Sequence, residues 1–256
     1  MMYGLYLSAQ GADVQSKRLD VISNNLANAS TTAFKRDLAL IQSHPPFSKI
    51  KGRNADPDAV QQVTGGTTMA GIATDMRDGS LTETGSSLDL ALRGPGFFRV
   101  SDGKQEYLTR AGNFALNSQG EVVSQEHGFN LLTLSGDTLA IPPAISQIVV
   151  GEDGSVTGIT QGSLEPLNLG KLDVVQPEDF NQLHKHGENL YKVSGKVVAS
   201  GRDVTVQQGF LEASGTRPVQ EMLEMIETSR ALEMNVNAIR LQDESLGRLL
   251  QAMPNR

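Results

Sequence analysis

The chain has 256 residues, a formal net charge of −7, 38% hydrophobic residues and no cysteine. That length bounds it to one or two compact domains, the missing cysteine excludes disulfides, thiolate metal sites and thiol catalysis, and no apolar run reaches the roughly 18 residues that predict a membrane-spanning helix. Residues 41–214 carry 20 acidic and 13 basic side chains while both ends are almost neutral, and without a basic stripe to meet phosphates, nucleic acid is not an expected partner.

The first predicted element is a helix from Tyr3 to Leu26. Alternating steps of three and four residues land on Leu5, Ser8, Ala12, Gln15, Leu19, Ile22 and Leu26, five of them apolar. The stretch Met1–Gln10 lacks the basic head, apolar run and cleavage site of a secretory signal, so Sec-dependent export is not expected. Asn24-Asn25 and the Asn, Ser and Thr residues through Thr32 end the helix, because their side chains compete for backbone hydrogen bonds. Phe34 follows as an apolar anchor. Residues 41–71, with Pro45-Pro46, Asp56-Pro57-Asp58 and Gly65-Gly66 around a small basic patch at Lys49, Lys51 and Arg53, read as an extended connector.

Short strands and turns fill residues 72–214. Leu88, Leu90 and Leu92 alternate, Arg93-Gly94-Pro95-Gly96 turns the chain and Phe97–Val100 restarts it, a strand–turn–strand pattern. Further strands are predicted at 106–109, 114–116, 121–123 and 129–134, in a hairpin of 148–150 with 155–159, and at 171–175, 190–193 and 204–207. No strand–helix–strand alternation appears, which argues against a parallel nucleotide-binding sheet. The last helix is predicted with Thr216 as N-cap, Pro218 in the first turn, and Glu221, Glu224 and Glu227 near the positive end of its dipole. From Met222 the same three-and-four rule gives Met225, Ser229, Leu232, Val236, Ile239, Asp243, Leu246, Leu250 and Met253, a 3.5-residue period that marks a coiled-coil seam. The predicted fold class is α+β. A discontinuous coiled-coil domain of residues 1–40 with 215–256 joins, through the 41–71 connector, a central mainly antiparallel β domain of residues 72–214, and the helices are expected to order on assembly.

Chemical signals are sparse. His184 and His186 alternate on a predicted strand and could aim two rings at one metal, but no third ligand is evident among Glu178, Asp179 and Glu188. Gly94-Pro95-Gly96 lacks the Lys-Ser/Thr and the helix of a phosphate-binding loop. The carboxylate pairs Asp75 with Asp78 and Glu152 with Asp153 sit in glycine-rich turn text, and no Gly-x-Ser-x-Gly elbow occurs. Met222, Met225, Met234 and Met253 fit a core or an adaptable interface better than a cofactor site. No catalytic, cofactor-binding or metal residue is therefore expected, and the chain reads as a building block. The rival readings are a soluble β-domain enzyme acting on peptidoglycan, with helical oligomerisation ends, or another coiled-coil scaffold.

Leu19–Asn28 (LDVISNNLAN), followed by Thr31-Thr32-Ala33-Phe34-Lys35, resembles the N-terminal signature of bacterial flagellar axial proteins. Leu81–Gly85, Leu88–Phe98 and Tyr107–Phe114 look like the central signature of flagellar rod and hook proteins, and Gly209–Ser214 with Glu221–Ala231 resembles their C-terminal segment. By length the chain is similar to the FlgF/FlgG-like rod members of this rod/hook family. Ala33 stands where the family usually has Gly, and Thr216-Arg217-Pro218 replaces its more usual Asn-Val-containing stretch. The resemblance implies a structural subunit of the basal-body rod, proximal or distal. It also implies export without a cleaved signal through the flagellar type III apparatus, and polymerisation in the periplasm into the shaft that carries torque for motility. Partners implied are copies of itself, other rod proteins and hook components, with no membrane insertion. In the family both termini pair in an inner coiled-coil layer, with the β domain outside. Together with the two seams this predicts an assembly interface of Leu5, Ala12, Leu19, Ile22, Asn24, Asn25, Leu26, Asn28, Phe34, Met222, Met225, Ile226, Leu232, Val236, Ile239, Leu246 and Leu250.

Overall fold

The computed structural model describes residues 2–44, 65–160, 165–201 and 203–252. It is α+β, as the pattern of the chain predicts, and divides into two compact units, each assembled from discontinuous segments.

The first unit takes residues 1–27, 36–75 and 217–256. Helix α1 spans Met2–Ala27 and helix α2 spans Pro218–Ala252. Pro218 opens α2, where its missing N–H costs nothing. Its cap is Arg217, whose carbonyl accepts the Glu221 N–H, rather than the predicted Thr216. The helices run antiparallel, since Gly4 faces Gln242, Gly11 faces Asn235 and Asn25 meets Glu221. Strands β1 (Asp37–Ser43) and β2 (Thr67–Thr74) form an antiparallel pair running from Asp37↔Thr74 to Ser43↔Thr67 and pack on α1. Residues 41–43 and 67–71 of the predicted connector are thus paired strands, while 45–64 lie outside the described residues.

The second unit takes residues 28–35 and 76–216. Its strands in chain order are β3 (Leu81–Glu83), β4 (Leu90–Arg93), β5 (Phe97–Ser101), β6 (Glu106–Thr109), β7 (Phe114–Leu116), β8 (Val122–Ser124), β9 (Asn130–Leu131), β10 (Ile145–Val150), β11 (Ser155–Thr160), β12 (Pro166–Lys171), β13 (Val174–Pro177), β14 (Leu183–Lys185), β15 (Leu190–Val193), β16 (Val197–Ala199), β17 (Thr205–Gln208) and β18 (Phe210–Glu212). One sheet runs β14-β15-β6-β5-β9-β8-β7, with β13 and β16 joined to it through β5. A second runs β10-β11-β12, and β17–β4 and β18–β3 form separate pairs. The predicted hairpin at 148–159 is present as β10–β11. The turn after Arg93 does not close a hairpin: β4 pairs with β17, and β5 with β6, β9 and β13. Leu90, Ala91 and Leu92 are all buried, so β4 is covered on both faces and the alternation at Leu88–Leu92 does not separate a wet side from a dry one. The main core joins Leu90, Leu92, Phe98, Val100, Phe114 and Leu131 with side chains from β8, β11, β15 and β17.

Candidate assembly surface

The predicted interface residues divide by face. On α2, Met225, Leu232, Ile239 and Leu246 turn toward α1 and are half-buried. The other half of the predicted seam does not: Met222, Val236 and Asp243 are exposed, with Val236 at 43%. Glu221, Thr228, Asn235 and Gln242, one position earlier in each heptad, face inward instead, and Glu221 and Thr228 are each only 1% exposed. The division has a physical cause. Gly4 and Gly11 leave room on α1 that a polar α2 side chain fills: a Cβ on Gly11 would stand 3.0 Å from Asn235 Oδ1, and one on Gly4 would stand 3.2 Å from Gln242 Nε2. Each helical glycine costs about 1 kcal/mol relative to Ala, so their presence in α1 is explained by this close approach.

On α1, Leu5, Ala12, Leu19 and Leu26 are half-buried, Ile22 is buried, and Asn24 points to solvent. Asn25, read from sequence as part of a helix-ending cluster, is buried. Its Nδ2 donates to the Asp37 carbonyl at 2.8 Å and its Oδ1 accepts from the Asp37 N–H at 2.9 Å. Nδ2 also lies 3.5 Å from Glu221 Oε2. Arg36 brings Nε to 2.5 Å of Glu221 Oε1 and Nη2 to 2.9 Å of Glu224 Oε1, and Arg18 approaches the same Glu224 at 3.6 Å. This network locks the start of β1 to both helices. A cleft of about 360 Å³ opens beside it, lined by Arg18, Val21, Ile22, Leu38, Ile41 and Glu224 among others. Sequence reasoning missed Arg36 and Glu221 as partners. Their separation in the chain leaves no local signal beyond two unlike charges.

The surface of α2 turned away from α1 mixes apolar side chains with the exposed Glu227, Arg230, Glu233, Arg240 and Glu244. Val219, Met222, Leu223, Ile226, Met234, Val236 and Leu241 are exposed there, Leu223 at 57% and Ile226 at 52%. Tyr3 and Tyr6 on α1 and Leu38, Leu40, Ile41 and Ile72 on the β1–β2 pair add to the exposed apolar set. The side chain of Leu250, and Met253, lie outside the described residues. Among the described residues no helix is long and apolar enough to cross a membrane.

Asn28 and Phe34 belong to the second unit and are buried there. Ser214 Oγ donates to the Asn28 carbonyl at 2.9 Å, and Lys185 Nζ sits 3.8 Å above the Phe34 ring. Ala33 has φ 54°, the left-handed conformation that glycine adopts without cost, and its methyl is fully buried. Beside it, Lys35 pairs with Glu212 at 2.6 Å and donates to the Arg77 carbonyl at 2.8 Å. Arg110 lies 3.5 Å from the same Glu212 and 3.1 Å from Asp78. Burial pushes the Lys35 ammonium below its usual value, and the opposing pull of Glu212 does not cancel that. Residues 28–35 are in this way clamped to β18. His184 lies on β14 and His186 just past its end, and among the described residues no three His, Asp or Glu side chains are grouped to hold an ion.

Comparison with known proteins follows the same segments. Residues 5–35 match the family of flagellar basal body rod proteins, 91–158 match the D1 domain of the flagellar hook protein FlgE/F/G family, and 207–252 match the C-terminal region of flagellar basal body rod FlgEFG proteins. The chain is 33% identical to the flagellar basal-body rod protein FlgG of Buchnera aphidicola subsp. Schizaphis graminum, over 98% of this chain and all of that protein. It is 32% identical to FlgF of Caulobacter vibrioides over 90% of this chain and 89% of that protein. It is 30% identical to FlgG of Bacillus subtilis over 98% of both.

Proposed function

The chain belongs to the flagellar basal-body rod protein family and is a structural rod subunit, and from that premise we propose that its copies polymerise through the outward face of α2. The observation that carries this reading is the two-sidedness of that helix. One face is occupied by α1, and the remaining surface holds seven exposed apolar side chains among charged ones. Full burial of such a side chain contributes about 1.5–3 kcal/mol, so covering the exposed half of each contributes about 1 kcal/mol. Seven together give about 7 kcal/mol gross per copy, before the cost of immobilisation. The same patch on an isolated soluble chain is a liability. A repeating head-to-tail contact that does not close extends into a shaft.

In this reading Met222, Ile226 and Val236 meet the neighbouring copy, while Ile22, Asn25, Leu232, Ile239 and Leu246 hold each chain's own helices together. Leu5, Ala12, Leu19, Leu26 and Met225 border both contacts, and Asn24 lies at the rim. Asn28 and Phe34 fix the start of the second unit. Other rod and hook proteins with similar terminal helices are the further partners, and the flagellar type III apparatus is the route to a periplasmic rod. The near-neutral ends support dense packing of these helices, and the acidic middle of the chain supports a solvated surface. Relatives named FlgG and FlgF match at nearly equal identity, so the proposal covers proximal and distal rod alike. The test is the double substitution Leu223→Asp/Ile226→Asp. Purified protein is expected to keep its far-UV spectrum and lose polymerisation, and cells carrying it are expected to lose motility. Normal rods in those cells would refute the proposal.

A further inference from the structure

Gly4, Gly11, Arg18 and Asn25 recur every seven residues along one line of α1, and Gln242, Asn235, Thr228 and Glu221 recur every seven residues along the facing line of α2. Three of these four levels have recorded contacts of a polar α2 side chain on α1 or its neighbours: Gln242 against Gly4, Asn235 against Gly11, and Glu221 against Asn25 and Arg36. At the level between them Thr228 is buried and Arg18 turns to Glu224. The arrangement is unfavourable as simple packing. Among the described residues Thr228 Oγ1 and Gln242 Oε1 are buried with no hydrogen-bond partner, and unpaired buried polar atoms destabilise. Apolar residues would pack this seam more tightly, and α2 carries plenty of them on its other side.

We propose that this glycine–amide ladder is a recognition code by which α1 pairs with the α2 of its own chain, in one register, and not with that of a neighbouring copy. The proposal rests on the polymer reading above. In a shaft, many identical α1 and α2 helices lie side by side, and a plain apolar seam would accept any of them in any heptad register. A buried polar residue at a seam position specifies register and partner at the expense of stability. A glycine opposite each amide sharpens the choice. A slip of one heptad in one direction sets Gly4 against the shorter Asn235, and in the other sets Gly11 against the longer Gln242 and Gly4 against Leu249. The two faces of α2 therefore divide the work: the inner seam selects, and the outer face binds.

The natural absence of cysteine allows a direct test. Ala12→Cys on α1 and Ala231→Cys on α2 are made in full-length chains that also carry Leu223→Asp/Ile226→Asp, which removes the proposed outer contact. The two single-cysteine chains are unfolded together, refolded and treated with a flexible bismaleimide. With the natural ladder the expected product between chains is near background, whereas one chain bearing both cysteines cross-links internally. Adding Asn235→Leu and Gln242→Met, which keep side-chain size, is expected to raise the product between chains at least tenfold while helicity is retained. A between-chain product that stays at background in the leucine–methionine variant overturns the proposal, as does an equal product with the natural ladder. A second arm guards against a variant that fails to fold. Gly11→Ala is expected to lower the melting temperature of the helix pair, and Gly11→Ala/Asn235→Ala to restore it; no restoration counts against the complementarity. Polymers formed by the Leu223→Asp/Ile226→Asp background would refute the outer-face reading alone, because cross-linking reports only which helices pair.

Discussion

Aspartate placed on the two faces of α2 separates assembly from folding. Leu223 and Ile226 are more than half exposed in the single chain, so Leu223→Asp/Ile226→Asp costs the isolated subunit about 1 kcal/mol or less, the usual range for two surface changes. In the polymer the same substitutions remove about 2 kcal/mol of apolar burial and bring two carboxylates into a desolvated contact, only one of them a turn away from Arg230, at a cost of about 2 kcal/mol or more. A loss of about 4 kcal/mol per contact raises the critical concentration for polymerisation roughly 1,000-fold, at about 1.4 kcal/mol per factor of ten. Leu232→Asp/Ile239→Asp does the reverse. It buries charge in the half-buried seam against α1 and is expected to destabilise the helix pair by about 3 kcal/mol or more before any assembly step. Sedimentation gives the critical concentration, and thermal melting followed at 222 nm gives helix-pair stability. The reasoning is refuted if the outer pair of aspartates leaves the critical concentration within threefold of the parent, or if the outer pair melts the helices as readily as the inner pair.

Three further outcomes follow from the clamps at the helix ends. Asn25→Ala removes both side-chain bonds to Asp37 and is expected to cost about 2 kcal/mol at about 1 kcal/mol per bond, with faster amide exchange in β1; unchanged exchange there would contradict the anchoring role. Ala33→Val forces a β-branched residue into φ 54° at a fully buried site and is expected to cost about 3 kcal/mol, whereas Ala33→Gly stays within about 1 kcal/mol because relief of the left-handed strain offsets the lost methyl. Lys35→Met leaves Glu212 buried beside Arg110 and the Gly79 N–H, at an expected cost of about 3 kcal/mol. The folded-state value of Lys35 is held below the ordinary 10.5 by burial. Between that lowered value and 10.5 the unfolded chain binds more protons, so the parent gains stability as pH rises through this window. Urea midpoints taken from pH 7 to 10 are expected to show that gain in the parent and its absence in Lys35→Met.

Much of this architecture was legible because it is local. The spacing of Leu5, Leu19 and Ile22, and of Met225, Leu232, Ile239 and Leu246, marks helices with one covered face, and the cluster from Asn24 to Thr32 marks where α1 ends. What the heptad rule could not decide was which of two adjacent stripes turns inward. Met222 and Val236 outrank Glu221 and Asn235 on any hydrophobic scale, and only the glycines on the distant α1 reverse that ranking. The β1–β2 pair was illegible for a related reason. Its two strands are separated by a long stretch rich in proline and glycine, so no short turn announces them. The same holds for β4, whose partner β17 lies more than a hundred residues away, and for Phe34 and Lys35, whose burial depends on β14 and β18. Long-range pairing leaves no period in the chain.

The mixed polarity of α2 connects these findings. An ordinary surface helix sends its apolar stripe inward and its polar stripe to solvent. Here glutamate, threonine and two amides share the inner seam with Met225, Leu232, Ile239 and Leu246, and valine, leucine, isoleucine and methionine share the outer surface with charged residues. Two pressures on one helix account for the pattern. Strength is needed where many copies must hold under torque, and apolar area supplies it without regard to partner. Selectivity is needed where identical helices compete for one another, and buried polar groups supply it at a loss of stability. On the proposed reading, a subunit built this way gives up part of its own helix-pair stability and offsets the loss when its outer face is covered.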